Sequence, residues 1–142
     1  MDHTKGSGSD GWLAAMEERA KGTFWEHIGF KAEEVTAQRT VITLVADRRH
    51  LNPIGLVHGG VLSSMLDNAM GLAVMAARPG EKTVTTNLNV HFVAPLHEGK
   101  LTAVAYVQHE SRTTLTVQGT VTDERGRLGT IGTGSFRILG AG

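Results

Sequence analysis

The chain contains no cysteine, which removes disulfides, thiolate nucleophiles and cysteine metal sites together. It also lacks a net charge: 14 Lys and Arg balance 14 Asp and Glu. A protein built to grip nucleic acid or an anionic membrane needs a basic face, and no run of like charge supplies one. Aromatics are few, with one Tyr, two Trp and four Phe, and they are not interleaved with Arg or Lys as on a platform for stacked bases. The opening MDHTKGSGSDG has no basic segment followed by an apolar run, so it does not read as a signal peptide. The most apolar stretch carries Asp67, Asn68 and two serines, too mixed for a membrane span. The expectation is a cytoplasmic protein with neither a membrane nor a nucleic-acid partner.

What the sequence does have is one dominating stretch, NPIGLVHGGVLSSMLDNAMGLAVMAA, from Asn52 to Ala77. Leu62, Met65, Leu66, Ala69, Leu72, Ala73 and Ala76 recur at spacings of three and four, the period of an α-helix. Most of their neighbours are also apolar, so the helix should be wrapped on most sides. Gly60, Ser64, Asp67 and Gly71 form a polar stripe along one face. A carboxylate two turns into a buried helix is costly unless it is paired or functional. The residues beside Asp67 offer no basic partner.

Around this helix the chain reads as a flexible, Gly- and Ser-rich N-terminus with a short helix over Trp12 to Lys21 (residues 1–22), then one domain (residues 23–142). Six segments read as strands. They are Ile28 to Val35, Arg39 to Ala46, Thr83 to Val93, Lys100 to His109, Thr113 to Asp123 and Leu128 to Leu139. In the third, strict alternation puts Val84, Thr86, Leu88, Val90 and Phe92 on one face, and Thr85, Asn87, Asn89 and His91 on the other. Three glycines in GTIGTGSF mark a place where a ligand or a second backbone comes close. Two strands, a long helix and four strands, with no βαβ alternation, predict an α+β fold. Its form is a curled antiparallel sheet of about five to six strands around one long central helix.

The helix mouth carries the chemistry. The N–H groups of Gly59 and Gly60 belong to the unsatisfied first turn, where the helix dipole adds positive character. With no side chain in the way, a carbonyl oxygen can approach and be polarised; a simple tight turn is the structural alternative. Asp67 is a general base or a nucleophile, unless it is satisfied by backbone or solvent. Gly60 and Asp67 stand seven residues apart, roughly 10 Å along a helix axis, while a base must lie about 3 Å from its target. One helix cannot place both groups on one carbonyl. Two antiparallel copies about a two-fold axis can, which implies a homodimer with two shared sites if both groups act together.

Asn52 can hydrogen-bond a water or a carbonyl, or simply build the turn before Pro53. His58 reads better as a positioning or helix-entry group than as a base. The other histidines show no metal-ligand spacing. No Gly-x-Ser-x-Gly elbow occurs, and the two Gly-x-Gly matches lack a strand-then-helix context.

HLNPIGLVHGGVLSSMLDNAMGLAV followed by TTNLNVHFVAPL resembles the hotdog-fold acyl-CoA thioesterases of the PaaI-like (phenylacetate pathway) group. The resemblance runs from about Phe24 to Leu139. It implies that Asp67 acts on the thioester as base or nucleophile, that Gly59 and Gly60 polarise its carbonyl, and that His58 and Asn52 position substrate or water. Thr85 matches a hydroxyl that helps hold the nucleophilic water. Arg112, Gly132 and Thr133 match places that meet the coenzyme A moiety, which is part of the substrate; no separate cofactor is implied. The implied assembly is a homodimer paired into a homotetramer. A non-catalytic acyl-CoA sensor and a hydroxyacyl-thioester dehydratase are the alternatives. The dehydratase would pair a His with the acid, which His-Gly-Gly followed by Asp67 fits poorly, and the short N-terminus leaves a sensor no room for a DNA-binding domain.

Overall fold

The computed structural model describes residues 3–140, with side chains from residue 11 onward. The chain divides into two compact units, Met1–Phe30 and Lys31–Gly142. In the first, α1 runs His3–Arg19, so its start precedes the Trp12 that the apolar pattern marks. The expected flexibility of the leading segment falls, at Met1 and Asp2, outside the described residues. A second helix, α2 (Phe24–Ile28), takes in Ile28, read from the sequence as the first residue of a strand. Thr23 stands at its N-cap in extended backbone, and Gly29, at φ 102°, closes it in a left-handed cap, a conformation that costs glycine least. Trp25 and Phe30 then meet edge to face at 5.5 Å, a favoured aromatic geometry.

The second unit holds β1 (Lys31–Val35), β2 (Thr40–Ala46), α3 (Gly59–Ala77), β3 (Thr83–Phe92), β4 (Gly99–Glu110), β5 (Thr114–Thr122) and β6 (Leu128–Ile138). All neighbours pair antiparallel in the order β1-β2-β4-β5-β6-β3. The predicted α+β class, the six strands and the single long central helix are all present. By length and composition α3 could cross a membrane, but its apolar side is spent on the sheet. Leu62, Met65, Leu66, Ala69, Met70, Leu72, Ala73 and Val74 are buried, each large one contributing roughly 1.5–3 kcal/mol.

The sheet accommodates this helix through glycine. A Cβ on Gly132 would lie 2.9 Å from Leu66, one on Gly134 would lie 2.9 Å from the Met70 sulfur, and one on Gly119 would lie 3.0 Å from Leu66. A second backbone does come close, as expected: the Asn89 carbonyl of β3 lies 3.0 Å from the Cβ position of Gly132 and the Asn87 carbonyl 3.4 Å from that of Gly134. The side chains of α3 come closer still, and at Gly129 it is Leu96 that fills the space. Gly132 is a packing residue, and its neighbour Thr133 faces away from the helix.

Thr130 on β6 is fully buried, and its hydroxyl meets no hydrogen-bond partner among the described residues. A buried hydroxyl left unpaired costs about 1–3 kcal/mol. Thr130→Val keeps the β-branched shape and removes that cost. It is expected to raise the thermal midpoint by about 3 °C, measured by calorimetry; a lower midpoint would show that the hydroxyl is satisfied.

Candidate active site

The loop before α3 is closed by its own polar groups. The Asn52 carbonyl side chain accepts the N–H groups of Ile54 at 3.1 Å and Leu56 at 3.0 Å, an Asx-type turn. Gly55, at φ 90°, completes it. Asn52 is thus engaged in building the entry to the helix. His58 follows as the N-cap: its Nδ1 accepts the Gly60 N–H at 2.8 Å. A neutral imidazole accepting at Nδ1 carries its proton on Nε2, which leaves that nitrogen a donor.

This cap separates the two glycines. The Gly60 N–H is consumed by His58, and the carbonyl of His58 takes the N–H groups of Val61 and Leu62. Among the described residues the Gly59 N–H meets no acceptor. It is the open donor at the positive end of the helix. Over it lies Phe92: a Cβ on Gly59 would stand 3.2 Å from the tip of that ring.

Farther along, the stripe of Gly60, Ser64, Asp67 and Gly71 is not buried. The expectation that α3 is wrapped on most sides holds for its apolar face only. On the open face Ser64 donates to the Gly60 carbonyl at 2.7 Å and Asn68 to the Ser64 carbonyl at 2.8 Å. Half-buried Asp67 accepts the Thr85 hydroxyl at 2.7 Å on Oδ1, and its Oδ2 is left without a donor among the described residues.

A β-bulge makes that bond possible. In β3 the register slips between Thr85, which pairs with Phe136, and Asn87, which pairs with Ser135. The extra residue, Thr86, turns its hydroxyl to the Ser135 carbonyl instead. One inserted residue reverses the phase of alternation, so Thr85 shares the helix side with Leu88, Val90 and Phe92, and Val84 joins Asn87, Asn89 and His91. The uninterrupted alternation read from the sequence is corrected there.

The residues matched to coenzyme A fall apart in space. Arg112 sits exposed on the β4–β5 turn, which Arg78 fastens to the end of α3. The Arg78 guanidinium donates to the carbonyls of Ser111 at 3.0 Å and Arg112 at 2.7 Å, and to Glu81 at 2.9 Å. Thr133 lies in mid-sheet opposite Gln118, four residues along β5 from Thr114, about 13 Å from the turn. It borders a cavity of about 510 Å³ with Asn89, His91, Tyr106, Gln118 and Thr120, on the sheet face away from α3. Arg127 is held by Asp123 at 3.2 Å in the β5–β6 turn. Among the described residues no three His, Asp or Glu side chains gather where they could hold a metal. Sequence reading passed over Arg78, and Phe92 was taken only as one of an alternating set.

A curled antiparallel sheet around one helix, with a carboxylate on the helix and an open N–H at its mouth, is the frame of a hotdog thioester hydrolase. Residues 54–130 match the model of the thioesterase superfamily, more than half of the chain, and the chain belongs to that family. The proofreading thioesterase EntH of Cronobacter turicensis is 25% identical over 116 residues, 81% of this chain and 85% of that protein. The E. coli PaaI protein of the phenylacetic acid degradation operon shares the fold at a TM-score of 0.82 and 22% identity, over 91% of this chain and 93% of that one. A hypothetical thioesterase from Streptococcus pneumoniae TIGR4, solved with coenzyme A, matches at a TM-score of 0.73 and 25% identity, over 79% and 87% of the two chains.

Proposed function

We propose that this protein is a cytoplasmic acyl-CoA thioesterase whose sites are each shared by two copies of the chain. The observation that carries the reading is the pairing of Thr85 with Asp67 at 2.7 Å, on the open face of the helix whose mouth holds the unclaimed Gly59 N–H. Asp67 and Gly59 are eight residues apart in one helix, about 12 Å along its axis. The thioester carbonyl of one site therefore accepts from the Gly59 N–H, while the carboxylate comes from the partner's Asp67. Two further features favour a second copy: β3 is an unpaired edge ten residues long, and such edges are ready to pair; the stripe of α3 is uncovered. Pairing of dimers into a tetramer follows the family resemblance.

In the reaction, Thr85 donates to Oδ1 and fixes the carboxylate, leaving Oδ2 to take a proton from water. The water oxygen bonds to the thioester carbon, and the charge forming on the carbonyl oxygen is met by the Gly59 N–H and the helix dipole. Collapse breaks the carbon–sulfur bond, the thiolate of coenzyme A recovers the proton from Asp67, and a carboxylic acid is released. His58 positions from Nε2, and Arg112, set by Arg78, meets coenzyme A phosphate.

The test is thiol release from a panel of acyl-CoAs, from acetyl through medium-chain to phenylacetyl, followed with a thiol dye. Turnover of at least one member is expected from a species that light scattering shows to be a dimer or larger. Saturable binding with no thiol release would establish a sensor instead.

A further inference from the structure

Phe92 is large, apolar and 53% exposed, although it is on the helix side of β3, where Thr85 meets Asp67. Its ring tip lies against Gly59, 3.2 Å from where a Cβ would sit. The ring can neither donate nor accept a conventional hydrogen bond, so it leaves the Gly59 N–H unclaimed. Exposed aromatic surface of this size is favourable only when something apolar covers it. A thioester carbonyl bound at Gly59 has two neighbours, the first carbon of the acyl chain and the sulfur of the coenzyme A arm, and the acyl chain is the apolar one that an apolar ring suits.

We propose that Phe92 is a specificity-determining residue: its ring is a wall of the acyl pocket and sets which acyl groups fit beside the carbonyl. The proposal rests on the reading of the Gly59 N–H as the carbonyl donor. Placed on the acyl side, the ring acts through fit, so its loss changes discrimination among acyl groups rather than the chemistry at Asp67. Each methylene gained or lost in an apolar pocket is worth about tenfold or more in kcat/KM.

Phe92→Ala and Phe92→Leu are to be compared with the unaltered chain across saturated acyl-CoAs of increasing length and phenylacetyl-CoA. Phe92 is half exposed to solvent in the single chain, and calorimetry monitors folding. With Phe92→Ala, the ratio of kcat/KM for the bulkiest to the smallest substrate turned over is expected to shift by about tenfold or more, with Phe92→Leu in between. An equal loss on every substrate would overturn the proposal and place the ring against the coenzyme A arm. An unchanged profile would overturn it too. Absence of turnover by the unaltered chain on every substrate would overturn the thioesterase reading as well, which separates the two failures.

Discussion

Asp67→Asn is expected to lower kcat for acyl-CoA hydrolysis by about three orders of magnitude, with KM within a few-fold of its original value. The substitution is close to isosteric. The amide oxygen of asparagine can still accept the Thr85 hydroxyl that now lies 2.7 Å from the carboxylate, so β3 and α3 stay joined. What disappears is the oxygen able to take a proton from water, an element of catalysis worth about a hundred- to ten-thousand-fold. Half-buried Asp67 makes no ion pair among the described residues, so removing its charge strands no buried cation. The unfolding midpoint and the oligomer mass should be unchanged. Steady-state thiol release with each acyl-CoA, alongside calorimetry and light scattering, measures all three. Turnover within threefold of the original would remove Asp67 from the reaction.

Asp67 and the glycines could be read from the sequence because they violate local expectation: a carboxylate and a gap in side chains within an otherwise apolar helix. The helix itself was legible from a period that nothing interrupts between Gly59 and Ala77. Thr85 was harder. Period-two alternation assigns it to the face of Asn87 and Asn89, away from α3, and only the slip at Thr86 brings it round. A bulge is set by the register of β6 against β3, a long-range fact with no composition signal in TVTTN. The same distance in sequence hid the use of Gly132 and Gly134, whose missing side chains make room for Leu66 and Met70. It also hid Phe92, which becomes a neighbour of Gly59 only after the sheet has curled. The start of the first strand was misread for a local reason: Ile28, β-branched, favours strand by composition, but Gly22 and Gly29 both adopt positive φ and enclose one helical turn that ends on Ile28, so the strand begins at Lys31. What the chain does within itself near Asn52 and His58 was open to two readings, and hydrogen bonds to their own backbone decide how each is engaged.

Gly59→Pro should inactivate the enzyme from the other half of the site, and it does so by deleting one hydrogen atom. Gly59 is the first residue of α3, the position where proline is best tolerated because the N–H has no partner in the helix. His58 before it, at φ −63° and ψ 136°, already has the extended backbone that proline demands of its predecessor. The new ring needs the tip of Phe92, 3.2 Å from the Cβ position, to give by a fraction of an ångström, and a half-exposed side chain can do so. The neighbouring Gly60 N–H cannot substitute, being held by His58 at 2.8 Å. Loss of a single carbonyl-binding donor costs about a hundred- to a thousand-fold in kcat. The decisive measurement mixes the two inactive chains. Differently tagged Asp67→Asn and Gly59→Pro chains, co-expressed and purified through both tags, pair so that one site of each mixed dimer carries both changes and the other carries neither. Purified mixed dimers should recover about half of the original activity per dimer, and an unsorted random mixture about a quarter. If one chain supplied both groups to its own site, every site in the mixture would still be damaged and no activity would return. Recovery therefore separates a shared site from a private one without reference to the acyl group, and it does so with two variants that are each silent alone.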